Sequence, residues 1–168
     1  MAENNLNKKA GKAGIWYTTA NIFLKGCLFL TLPIFTRLLS PHDFGIYNTY
    51  MAYEALLSAI LGLGLYGTVK NAKLDYGEDF NSYMSSVLTL SLICFSLLIC
   101  VINLFWNLIQ PYWQFSLFVT NCLLLQSYGA FVLFFYGSKL NIEFKYKSYV
   151  AISFIDNIGQ MIPMFTLK

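Results

Sequence analysis

Lys25, Glu54 and Asp156 each interrupt a run of otherwise apolar residues, and Arg37 stands at the close of the first of those runs. A lysine or aspartate at the centre of a membrane span costs about 2.5–3.5 kcal/mol on insertion scales, so charges placed this way face a bundle interior or a wet cavity instead of lipid. Lys25 precedes Arg37 by twelve residues and Glu54 follows Phe44 by ten. At a helical rise of 1.5 Å per residue both sit roughly 15–18 Å below the outer ends of their helices, and antiparallel neighbours would hold them at one depth. Thr18, Asn21 and Lys25 share one face at helical spacing, as do Tyr47, Tyr50 or Met51, Glu54 and Ser58,. Two chemistries fit this polar seam. In one, Lys25 and Glu54 form an ion pair that locks two helices together. In the other, Lys25 and Arg37 draw an anionic cargo into a water-accessible cavity, with Glu54 as partner or as a proton or cation site. Asp156 is a further ion, proton or salt-bridge candidate. Asn103, Asn121 and Gln126 read as interhelical hydrogen-bond formers.

The elements that must position these groups are five apolar stretches, Ile15 to Thr36, Phe44 to Val69, Ser85 to Trp106, Trp113 to Tyr136 and Ser148 to Leu167. Each approaches or reaches the roughly 20 residues that a helix needs to cross a hydrocarbon core of about 30 Å. A chain of 168 residues that is 57% hydrophobic, 18% aromatic and 11% charged lacks the polar surface of a water-soluble globule, so the expected fold is an all-α polytopic membrane protein. Its net charge of +3 does not indicate nucleic acid, because the lysines are spread among connections and form no single phosphate-binding face. Lys8, Lys9 and Lys12 lie in the amino-terminal tail, Lys70 and Lys73 in the second connection, and Lys139, Lys145 and Lys147 in the fourth. The first connection has only Arg37 and the third, Asn107 to Tyr112, has none. Eight basic residues against one place the amino terminus and the even-numbered connections in the cytoplasm. A cleaved signal peptide is a poor reading of the first stretch, which is long, carries Lys25 at its middle and lacks a small-residue cleavage site.

Cys27, Cys94, Cys100 and Cys122 fall inside apolar stretches without paired spacing, and His42 is the single histidine. Neither a metal site nor a disulfide framework follows, and buried free thiols are the expectation. Gly62-Leu63-Gly64-Leu65-Tyr66-Gly67 matches a dinucleotide fingerprint letter for letter, yet it lacks the strand before it and the helix-opening turn behind it. Close helix approach at small residues explains it better, with a hinge as the weaker alternative. In Ser40-Pro41-His42-Asp43, serine suits an N-cap, proline the first helical position and aspartate the third. Pro33 is expected to bend the first span. Enzymatic chemistry has no support, since intramembrane serines lack a positioned base and Asp75, Glu78 and Asp79 form an ordinary solvated connection.

The run Thr31-Leu32-Pro33-Ile34-Phe35-Thr36-Arg37-Leu38-Leu39-Ser40-Pro41-His42-Asp43-Phe44-Gly45-Ile46-Tyr47, followed by Leu61-Gly62-Leu63-Gly64, resembles the opening hairpin of Wzx-type polysaccharide flippases. These belong to the multidrug/oligosaccharidyl-lipid/polysaccharide exporter superfamily. Ser85-Ser86 and Phe144-Lys145-Tyr146-Lys147 extend the resemblance over most of the chain. It implies a transporter, not an enzyme, that moves an undecaprenyl-diphosphate-linked oligosaccharide across the bacterial cytoplasmic membrane by alternating access. No cofactor is implied. Lys25 and Arg37 stand where they could meet the diphosphate. Members of the superfamily carry two six-helix lobes, so about five spans in residues 1–168 would form part of one lobe. The expectation is an incomplete amino-terminal lobe, inactive alone, whose partners are the lipid-linked oligosaccharide, membrane lipid, a carboxy-terminal half or polysaccharide assembly proteins. The alternatives are a drug or small-molecule exporter of the same superfamily and a small membrane scaffold without a substrate path.

Overall fold

The computed structural model describes residues 11, 14–19, 21–23, 25, 26, 29, 33, 37 and 40–166, with side chains described as far as Gln160 apart from Tyr66. Lys8, Lys9, Lys12, Cys27 and most of the run from Thr31 to Leu39 lie outside the described residues. Among the described residues the regular structure is helical and contains no strand. Helix α1 is Pro41–Leu61, α2 Val69–Tyr76, α3 Phe80–Leu104, α4 Trp106–Ile109, α5 Leu117–Ile142 and α6 Tyr146–Thr166, with 3-10 turns at Leu65–Thr68, Gly77–Asp79 and Gln110–Tyr112. Residues 14–19 and 21–23 are also helical. Val69–Leu104 and Leu117–Ile142 are long and apolar enough to cross a membrane.

Helix α1 starts where the sequence says it should. The Asp43 amide donates to Ser40 Oγ at 3.2 Å, Ser40 Oγ donates to Asp43 Oδ2 at 2.7 Å, and the Phe44 amide reaches the Ser40 carbonyl at 3.0 Å. Serine thus caps the first turn while Pro41 fills a position whose missing N–H costs nothing. The helix ends sooner than the apolar run to Val69 suggests. Leu63 takes φ 48° and Gly64 φ 66°, and the Gly64 amide bonds the Ala59 carbonyl at 3.2 Å while the Leu63 amide bonds Ile60 at 3.0 Å. That is a left-handed helix stop, which satisfies carbonyls the last turn leaves open. Helix α5 ends the same way at Phe144, φ 55°, with the Lys145 amide on Leu140 at 3.0 Å and the Phe144 amide on Asn141 at 3.2 Å.

Between α3 and α5 the chain leaves the helical path because Pro111, in the Gln110–Tyr112 turn, cannot donate to an interior ladder. Trp113 is extended, at φ −114° and ψ 131°, and Ser116 then caps α5, its carbonyl accepting the Thr120 amide at 2.9 Å. The fourth apolar stretch, expected from Trp113 to Tyr136, therefore forms its helix over Leu117–Ile142, and Lys139 lies in the last helical turn instead of the connection. Polar side chains on α3 turn inward on their own helix. Ser86, Thr89 and Ser96 donate to the carbonyls of Ser82, Ser85 and Leu92 at 2.8–2.9 Å, an arrangement that hides hydroxyls in an apolar setting.

The chain divides into two compact units, Met1–Asn48 with Tyr136–Lys168, and Thr49–Phe135. In the first, Trp16 stacks on Tyr146 with centroids 5.7 Å apart, Tyr17 meets Tyr149 edge-on at 4.9 Å, and the Tyr47 hydroxyl donates to the Gln160 carbonyl at 3.3 Å. In the second, Leu61, Val69, Phe80, Leu123, Leu124, Phe131 and Phe135 are the buried heart. Phe95 stacks on Tyr128 at 4.7 Å, and Asn103 and Asn121 exchange amide hydrogen bonds at 3.0 and 3.2 Å. Cys94, Cys100 and Cys122 are free, but Cys100 and Cys122 are exposed and not buried as expected. They occupy helix faces whose neighbours, such as Leu97, Val101, Phe118 and Leu125, are exposed apolar residues too, surfaces suited to lipid where a thiol is a small hydrophobe.

Gly62 bears out close approach. A Cβ there would overlap the ring of Phe131, which is 1% exposed and hemmed in. Gly62→Ala is expected to cost about 1–3 kcal/mol by overpacking, read as a lower thermal midpoint in detergent. Adding Phe131→Leu should recover part of the loss. An alanine variant as stable as the unaltered chain would contradict this packing.

Candidate functional site

The capped start of α1 fixes the register of the residues that follow, and Tyr50, Tyr53 and Glu54 recur at the spacing that puts them on one face,. Glu54 is 7% exposed and Tyr50 2%. Opposite them within the same unit stands α5, where the Tyr50 hydroxyl donates to Gln126 Oε1 at 3.1 Å. The other half of that amide, Nε2, is buried and meets no acceptor. Gln126 is therefore the interhelical bond former that its sequence position suggests, with one donor left over.

An aromatic group adjoins this pair. Tyr53 and Trp113 lie 4.7 Å apart between centroids, Phe115 is 6.3 Å from Tyr53 and 6.1 Å from Trp113, and Tyr50 packs edge-on against Phe115 at 5.8 Å. Trp113 Nε1 donates to Thr120 Oγ1 at 2.8 Å, and that hydroxyl donates on to the Ser116 carbonyl at 2.9 Å. Phe115 is buried, while Tyr53 and Trp113 are half-buried. Reading the sequence alone misses this constellation, because Trp113 looks like the first residue of a span and nothing marks it as the neighbour of Tyr53.

The charged candidates are distributed between the units. Lys25 and Arg37 are helical and exposed, and with Asp156 they belong to the unit that holds both chain termini, whereas Glu54 belongs to the other. Asp156 is half-buried on α6, where its Oδ2 accepts from Gln160 Nε2 at 3.2 Å. On α2, Lys73 Nζ stands 4.8 Å over the Phe80 ring, and after α5 Lys145 pairs with Glu143 at 2.7 Å. The hydrogen bond and charge of Glu143 hold the exposed Lys145 ammonium above the usual lysine range, so its positive charge persists through neutral pH and is lost only as pH rises past that raised value. Among the described residues no group of three or more His, Cys, Asp or Glu gathers to hold a metal ion.

Residues 10–158 match the family described as polysaccharide biosynthesis protein. A probable low-salt glycan biosynthesis flippase of Haloferax volcanii is 30% identical over 109 residues, which are 64% of this chain and 23% of that protein. The chain thus spans less than a quarter of the length of that relative. No solved structure matches.

The Tyr50–Gln126 contact is open to a double-mutant cycle. Tyr50→Phe leaves Gln126 with both amide ends unpaired and should cost about 1–3 kcal/mol. Combining it with Gln126→Leu should cost less than the two changes summed, the coupling being about 0.5–1.5 kcal/mol. Additive losses in thermal unfolding would mean that the two side chains do not bond.

Proposed function

This chain belongs to the polysaccharide biosynthesis protein family, and from that membership we propose that it serves in flipping lipid-linked oligosaccharide repeat units across a prokaryotic cytoplasmic membrane. The match over residues 10–158 carries the reading, and the name of the Haloferax relative, a probable glycan biosynthesis flippase, agrees with it. The cargo is an undecaprenyl-diphosphate-linked oligosaccharide. Its diphosphate is the part that water holds most strongly, so a path through the bilayer needs cations to replace hydration. Lys25 and Arg37 are the proposed groups, with Glu54 and Asp156 as the acidic residues that balance them or carry a coupling proton or ion.

No bond is made or broken in such a step. Catalysis in the chemical sense is absent, and the protein changes only which side of the membrane the cargo can reach. The five apolar stretches are proposed as spans of one lobe of an alternating-access transporter, working against an opposing lobe. The lysine and arginine bias of the sequence supports a cytoplasmic amino terminus, with Lys70, Lys73, Lys145 and Lys147 on that same side.

The test uses a full-length transporter that carries this chain as its amino-terminal part, expressed in cells without their own flippase. Lys25→Gln with Arg37→Gln should lower surface glycan by about tenfold or more, equivalent to about 1.4 kcal/mol or more of lost stabilisation. Unchanged delivery at equal protein level would overturn the proposed role of these two charges.

A further inference from the structure

We propose that Tyr53 and Trp113, backed by Phe115 and Tyr50 and edged by Gln126, form a subsite for one sugar ring of the cargo. The inference rests on the flippase reading above and adds a place where the glycan, as distinct from the diphosphate, is held.

A pyranose ring has an apolar face of C–H groups and a rim of hydroxyls. Its binding site needs an aromatic surface for the face and hydrogen-bonding groups at the edge, the general pattern of a mostly apolar site with a few placed polar groups. Both are present within Thr49–Phe135, a single compact unit. Tyr53 and Trp113 are the half-buried members of the aromatic group, and Tyr50 and Phe115 lie buried behind them. Tyr50 joins the two halves of the site, since its ring packs on Phe115 at 5.8 Å while its hydroxyl holds Gln126 Oε1 at 3.1 Å.

Two observations point to a ligand. The first is Gln126 Nε2, a buried donor without an acceptor. Leaving such a group unpaired costs about 1–3 kcal/mol, and a hydroxyl oxygen arriving with a sugar would supply what it lacks. The second is the orientation of Trp113. In an ordinary interfacial belt the indole N–H is turned towards headgroups and water, but here Nε1 is committed to Thr120 Oγ1 at 2.8 Å. Its polar edge is used inside the protein and one side of the ring packs on Tyr53 at 4.7 Å, so the part of the half-buried indole still open is what meets the sugar.

The experiment measures binding to a full-length transporter that carries this chain as its amino-terminal part, in lipid nanodiscs, with two probes, polyprenyl-diphosphate-linked N-acetylglucosamine and the same polyprenyl diphosphate without sugar. The unaltered chain should bind the sugar-bearing probe about tenfold more tightly, a difference of about 1.4 kcal/mol. Tyr53→Leu and Trp113→Leu, each checked for retained helix content, should bring the ratio close to one without weakening the sugar-free probe, and Tyr53→Phe should preserve it. Equal affinity of the unaltered chain for both probes overturns the subsite while leaving a diphosphate-binding role intact. So does a ratio that survives both leucine variants. Failure to bind either probe overturns the subsite and the cargo reading together, and should one leucine variant not fold, the other and the unaltered chain still decide the matter.

Discussion

A polar group inside hydrocarbon has no water to turn to, and this demand shapes nearly every local feature of the chain. A backbone amide or carbonyl left open there costs several kcal/mol, which explains why the described residues form helices and why their ends are so carefully closed. Ser40 closes the start of α1. At the far ends of α1 and α5, carbonyls are recovered by turning Leu63 and Phe144 into the left-handed region. For a residue with a Cβ that conformation costs roughly 1–2 kcal/mol. Two hydrogen bonds are completed at each stop, which offsets the strain.

The same demand sorts the polar side chains. Short hydroxyls solve it locally, as Ser86, Thr89 and Ser96 do by bonding back along α3. Amides are too long and have too many donors for that solution alone, so they reach between helices. Asn103 and Asn121 exchange bonds in both directions, whereas Gln126 satisfies one end against Tyr50 and keeps the other. That contrast is informative because the neighbouring helices were able to satisfy a comparable pair in full. A half-satisfied amide bonded to a tyrosine of a partly open aromatic group is a feature that packing by itself does not favour,.

Much of this was legible in the sequence where a single residue type dictates local geometry. Ser40, Pro41 and Asp43 specified a helix start because capping needs only three neighbouring residues. Gly62 signalled close approach because no other residue leaves room for Phe131. The end of α1 was not legible, since leucine at position 63 gives no warning of a positive φ and the glycine expected at such a stop comes one residue later. The start of α5 was missed for a related reason. Trp113 and Phe115 are apolar enough to continue a span, and hydropathy cannot distinguish a residue inside a helix from one whose ring packs beside it. Of the four charged candidates, the burial of Glu54 and the hydrogen bond that Asp156 accepts from Gln160 add structural detail to what spacing implied.

Under the proposed function, the two kinds of chemistry found here answer different parts of one amphiphilic cargo. A diphosphate needs positive charge, and exposed Lys25 and Arg37 lie in one compact unit. A glycan carries no comparable charge and gains little from a lysine, but it gains from ring faces and directed hydrogen bonds, which the proposed subsite at Tyr53, Trp113 and Gln126 would supply. Cation strength alone would hold the diphosphate so firmly that release became slow, because a carrier must bind well enough to admit its cargo and loosely enough to let it go. Spreading recognition over weaker aromatic contacts avoids that difficulty. Such a subsite would distinguish a lipid bearing sugar from a bare carrier lipid with the same headgroup charge.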